Sequence, residues 1–93
     1  MAYYVWDPEK NERLKRERGI AFEDVIFHIQ GGDAVDVFEH PNQQRYPGQF
    51  VIVVVVERYA YLVPYVENGE EVFLKTIIPS RSATKQYLGD TDE

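Results

Sequence analysis

Apolar positions along this chain follow two spacings, and the change from one to the other divides it. Phe22, Val25, Ile26 and Ile29 recur at i, i+3, i+4 and i+7, the spacing of a helix with one buried face, and Gly31-Gly32 ends the run. Ahead of it, Asp7-Pro8 supplies an N-cap with proline at the first helical position, and Gly19 supplies a stop, so a first helix is predicted from Pro8 to Arg18. Leu14 is its only large apolar residue. That helix therefore depends on i,i+4 pairs such as Glu9 with Arg13 and Glu12 with Arg16, and shows most of its surface to solvent or a partner.

Beyond the double glycine the period becomes that of strands. Val35 and Val37 alternate with Asp36, a polar loop runs from His40 to Gly48, and Phe50 to Val56 is an unbroken β-branched run suited to a central strand covered on both faces. A tight connection at Glu57-Arg58 leads to a strand from Tyr59 to Val66. Asn68-Gly69 then turns the chain into a last strand from Glu71 to Ile78. Pro64 cannot donate to a ladder, so a bulge or an interrupted ladder is expected there. Ser80 caps a closing helix that ends before Gly89. The predicted fold is α+β, in the order ααββββα, with a curved antiparallel sheet of about four strands and helices at both chain ends.

Composition narrows the class. A chain of 93 residues builds one modest core, here a single domain over residues 1–89, and Asp90, Asp92 and Glu93 form an acidic tail expected to stay disordered. There are no cysteines, so disulfides and thiolate metal sites are excluded. Neither histidine sits in a metal-binding motif, and no cofactor is expected. Met1-Ala2-Tyr3-Tyr4 has no basic region followed by an apolar one, and the run Phe50 to Val56 is far below the ~20 residues of a membrane helix. A soluble, cytoplasmic protein is expected.

The net charge of −6 argues against indiscriminate nucleic-acid binding, which depends on Lys and Arg neutralising phosphates. Charge is unevenly placed, however. Lys10, Arg13, Lys15, Arg16 and Arg18 stand against Glu12 and Glu17, leaving residues 10–18 with three excess positive charges. Arg81 opens the last helix, where free backbone N–H groups and a guanidinium together suit a phosphate.

Three segments carry a resemblance. Trp6-Asp7-Pro8-Glu9-Lys10-Asn11 looks like Trp-Asp-x-x-Lys-Asn, Gly19-Ile20-Ala21-Phe22-Glu23-Asp24 looks like Gly-x-x-Phe-Glu-Asp/Glu, and Ile78-Pro79-Ser80-Arg81-Ser82-Ala83-Thr84 is similar to Ile-Ser-x-Arg-x-Ala-Thr. In this order they resemble the BrnT-like toxins of bacterial toxin–antitoxin pairs, whose fold is similar to the RelE-like ribonucleases. The resemblance implies an mRNA-cleaving toxin neutralised by a cognate antitoxin protein. Two departures stand out. The chain reads Glu17-Arg18-Gly19 where the family often has Lys-His-Gly, and it is acidic where the family is usually basic.

Cleavage by such a toxin needs an acceptor for the 2′-hydroxyl proton, a donor to the leaving oxygen, and cations on the developing phosphorane, without a metal. Arg81 is the candidate phosphate clamp. His40, in a polar loop and able to titrate near neutral pH, and Lys75, on the strand before Arg81, are the other catalytic candidates. Lys10, Lys15 and Arg18 on the first helix and Tyr61 are the candidate RNA-binding residues. Tyr59, Tyr61 and Tyr65 share one side of their strand, able to stack bases or, as the more ordinary role, to pack beneath a helix. His28 falls off the apolar stripe and reads as an edge residue. An RNA substrate and an antitoxin are the expected partners, with a homodimer as a further possibility. The alternative is a non-catalytic protein-interaction module on the same fold.

Overall fold

The computed structural model describes residues 2–89 of the chain; the expected acidic tail over residues 90–93 lies outside the described residues. Its elements are β1 (Tyr3–Val5), α1 (Pro8–Arg18), α2 (Phe22–Gln30), β2 (Ala34–Glu39), β3 (Phe50–Val56), β4 (Tyr59–Asn68), β5 (Glu71–Leu74), β6 (Ile78–Pro79) and α3 (Arg81–Leu88). This is an α+β fold with three helices and a six-stranded mixed sheet. No helix among the described residues is long and apolar enough to cross a membrane.

Local chemistry sets the helix ends. Asp7 Oδ1 accepts the Glu9 N–H at 3.0 Å with Pro8 in the first turn, and α1 stops at Gly19, whose φ of 68° lies in the left-handed region that glycine enters without strain. Ala21 has no side-chain acceptor to cap α2, so Asp24 reaches back and accepts the Ala21 N–H at 2.8 Å. At α3, Ser80 Oγ accepts the Ala83 N–H at 3.0 Å. Of the side-chain pairs expected on α1, neither Glu9 with Arg13 nor Glu12 with Arg16 forms. Lys15 pairs instead with Glu12 at 3.2 Å, one turn back. Both partners are exposed, which limits the pair to about 0–1 kcal/mol.

The sheet order is β1-β5-β4-β3-β2, with β6 also pairing with β4. β3 runs between β4 and β2, as its unbroken apolar run requires. Two strands were not expected. β1 joins the sheet parallel to β5, pairing Tyr4 with Val72, and three residues without alternation leave no local trace of such a distant pairing. The last strand is split into β5 and β6, and the reason is Pro64. Pro64 pairs with Val51 in uninterrupted register, and its carbonyl accepts the Lys75 N–H at 2.8 Å. The backbone nitrogen and carbonyl of one residue in an antiparallel strand project to the same side. The missing donor therefore faces away from β3, and the break over residues 75–77 falls opposite it.

Helices cover both faces of the sheet. Leu14, Ile20, Phe22 and Val25 pack on Val54, Val63, Val72, Leu74 and Ile77, with Tyr61 and Tyr65 half-buried at the margin. Two residues of the tyrosine stripe, Tyr61 and Tyr65, thus pack against this core. On the opposite face Ala83 of α3 packs on Val53 and Ala60, flanked by Leu62 and Tyr87.

Candidate functional site

The residues that carry the family resemblance are mostly absorbed by the fold. The Trp6 ring stacks on Phe22 with centroids 5.9 Å apart. Asn11, only 4% exposed, donates through Nδ2 to Glu23 Oε1 at 2.8 Å and accepts the Phe22 N–H on Oδ1 at 2.8 Å, joining the two helices. The Asn11 bond, helped by the residue's own backbone N–H and by Lys15, holds the Glu23 carboxyl below the usual range against a smaller opposing effect of burial. Thr84 Oγ1 donates to the Ser80 carbonyl at 2.8 Å and accepts the Ala60 N–H at 2.9 Å, anchoring α3 to β4. Arg81 has no such role. It is exposed in the first turn of α3 and makes no ion pair or hydrogen bond among the described residues.

The other candidates are dispersed. Arg18 donates through Nη1 to the Ile77 carbonyl, tying the end of α1 to the break between β5 and β6. Lys15 is held by Glu12, Lys10 is half-buried on α1, and the Lys75 ammonium lies 5.3 Å from the centre of the Phe73 ring. His40 accepts the Asn42 N–H on Nδ1 at 3.0 Å and packs on Tyr46 with centroids 4.4 Å apart. Lys75 bonds to Pro64 on β4, Pro64 pairs with Val51 on β3, and Val51 pairs with Phe38 on β2, two residues before His40. Three strand spacings amount to about 14 Å. Arg81 follows Ser80, whose N–H bonds to Ala60, four residues and about 13 Å along β4 from Pro64. Arg81, His40 and Lys75 therefore occupy three separate parts of the sheet rather than one centre.

A cavity of about 250 Å³ gathers a different set of groups. It opens where the α1–α2 junction, at Gly19 and Ile20, meets α2 and the β3–β4 turn, and its polar lining is Asp24, His28, Glu57 and Tyr61. His28 is positioned by the helix stop. The Gly32 N–H bonds to the Ile29 carbonyl at 3.2 Å and the Asp33 N–H to the His28 carbonyl at 2.9 Å, with Gly32 at a φ of 93°. This paired closure of a helix end returns the chain toward its last turn. Asp33 Oδ2 comes to lie 2.8 Å from His28 Nδ1. An ionised carboxylate only accepts, so Nδ1 carries the proton and Nε2 is left as the basic nitrogen. Tyr61 is pushed above the usual phenol range by burial first, then by the charge of Glu57 and by Tyr59, and stays protonated at neutral pH.

The cavity thus offers a histidine of defined tautomer and a protonated phenol among carboxylates. It can move protons, and by its charge it attracts cations more than anions. Tyr61 pairs with Pro79, two residues before Arg81, so the cavity and the free guanidinium sit at the same end of the sheet but on opposite faces, the cavity under α1 and α2 and Arg81 at the start of α3. Sequence reading passed over His28 because it lies off the apolar stripe. The available signal was an aspartate five residues later, across a double glycine. Among the described residues no group of three or more His, Cys, Asp or Glu side chains could hold a metal ion. Comparison of the chain with protein-family models, with curated proteins and with solved structures returns no match, so the likeness to BrnT-like toxins rests on its three short segments.

Proposed function

We propose that this chain is a toxin-type endoribonuclease that cleaves mRNA by attack of a 2′-hydroxyl on the neighbouring phosphate, restrained in the cell by a partner antitoxin. One observation carries the reading: in the three segments that resemble the toxin family, Trp6, Asn11, Phe22, Glu23, Ala83 and Thr84 all have packing or hydrogen-bonding duties, whereas Arg81 has none. A motif arginine with no structural partner is available for a ligand, and a guanidinium holds two phosphate oxygens at once.

In the proposed reaction the 2′-hydroxyl loses its proton to a general base as its oxygen attacks phosphorus. Arg81 stabilises the negative charge added at the phosphate, and the 5′-oxygen leaves with a proton from a general acid. The products are a 2′,3′-cyclic phosphate and a free 5′-hydroxyl.

The test is RNA integrity in a bacterial translation extract supplied with the purified chain, compared with Arg81→Ala at equal folded concentration. Discrete cleavage by the unmodified chain is expected, with a loss of at least about tenfold in the variant, equivalent to ~1.4 kcal/mol of transition-state stabilisation. Intact RNA in every reaction would remove catalysis from the reading. Cleavage undiminished by Arg81→Ala would remove the proposed phosphate clamp.

A further inference from the structure

The outer edge of β2 is open. All six of its residues are exposed, no strand among the described residues pairs beyond it, and Val35, Val37 and Phe38 are 45%, 49% and 37% exposed. His40 donates its N–H to the Gln49 carbonyl, so by alternation Phe38 and Asp36 hydrogen-bond inward to Val51 and Val53, and the backbone groups of Val37 and Glu39 point outward. Such a row is a ready template for another strand, which natural proteins blunt with bulges, prolines or charges.

Here the blunting is selective. The ladder is irregular between Ala34 and Asp36, and Asp36 Oδ1 accepts the outward N–H of Val37 at 2.8 Å. Its other oxygen accepts the Tyr87 hydroxyl, so α3 holds this carboxylate beside the edge. Asp33, Asp36 and Glu39 give residues 33–39 three negative charges and no positive one. Two copies joined through this edge would bring six carboxylates to one seam, on molecules that each carry a net charge of −6. Like charge excludes the second copy and complements a basic strand.

We infer that β2 is a docking edge for an extended, lysine- or arginine-rich segment of another protein, which adds to the sheet as a further strand. Its backbone pairs with Val37 and Glu39; on one face its side chains meet Val37 and Glu39 and on the other Asp36 and Phe38, an apolar group beside each apolar residue and a cation beside each carboxylate, which displaces Asp36 Oδ1 from the Val37 N–H. This edge is independent of the ribonuclease reading: it involves neither Arg81 nor the His28 cavity.

The test uses the full chain and three short synthetic peptides: one repeating Lys-Val-Val-Lys, its glutamate counterpart, and the lysine peptide with alternate backbone nitrogens methylated. Binding is followed by fluorescence anisotropy, and amide exchange is followed at Val37 and Glu39. The lysine peptide is expected to bind at least about tenfold more tightly than the other two, to slow exchange at Glu39, and to lose about tenfold on Asp36→Lys combined with Glu39→Lys. Equal binding of the methylated peptide would overturn strand addition, and equal binding of the glutamate peptide would overturn the charge argument. Absence of binding to the unmodified chain would overturn the proposal without recourse to any variant. Self-association of the peptide-free chain with Glu39 protected would assign the edge to a second copy.

Discussion

Asn11 uses both ends of its amide, one for the Phe22 N–H and the other for Glu23, so truncating it leaves a buried backbone donor without a partner. Asn11→Ala is expected to cost about 1–3 kcal/mol in a urea titration. The same bond has a pH signature. Because the folded state holds Glu23 below its ordinary value of 4.5, its contribution is present above that value and is lost as pH falls through the lower folded one. Stability measured against pH should therefore show a shallower acid limb in Asn11→Ala, and an unchanged limb would mean that another group produces it. Asn11 was visible in the sequence as part of a motif, but its partner was not. Twelve positions separate it from Glu23, and only the packing of one helix against another brings them together. Arg18 is a similar case, because its basic side chain reads as RNA-binding until the fold presents it with the Ile77 carbonyl.

At the scale of elements the β3–β4 connection is the informative one. Its tight turn was legible from the end of one β-branched run and the start of the next, and its hand follows from the twist of the paired strands. Glu57 and Arg58 adopt φ values of 53° and 70°, where a side chain costs about 1–2 kcal/mol relative to the right-handed region. Arg58→Gly is expected to stabilise the protein by about 0.5–1 kcal/mol once the greater freedom of unfolded glycine is subtracted. Calorimetry should register this as a rise in Tm, at about 4–8 °C per kcal/mol for a domain of this size. A fall in Tm would mean that contacts of the Arg58 side chain outweigh the backbone strain. The break after β5 is a second case. Pro64 announces an interruption in the sequence, but which neighbour suffers it depends on the direction its nitrogen faces in the assembled sheet.

Across the whole molecule, stability is concentrated where α1 and α2 meet the sheet. Phe22 is fully buried there, stacked under Trp6 and packed among the residues of the larger core. Phe22→Ala should cost about 3–5 kcal/mol, measured by chemical unfolding. That is a large share of the ~5–15 kcal/mol available to a domain. A loss below about 1 kcal/mol would mean that the core refills the space. The charge of −6 is equally a property of the whole chain, but its effect depends on placement. β2 lines an open edge with carboxylates, while the excess cations of the first helix are partly taken up by Glu12 and Ile77.

The three helices, the caps of the first and third, the glycine stops, the β-branched central strand and the turn at Glu57-Arg58 were legible along the chain alone. Each of these follows from side-chain chemistry and periodicity within a few residues. It took the assembled sheet to bring in Tyr3–Val5, to divide the last strand opposite Pro64, to set Arg81, His40 and Lys75 apart, and to give His28 a cavity shared with Tyr61 and Glu57. Those outcomes depend on which strands become neighbours and which way each backbone group faces, and a linear pattern carries neither.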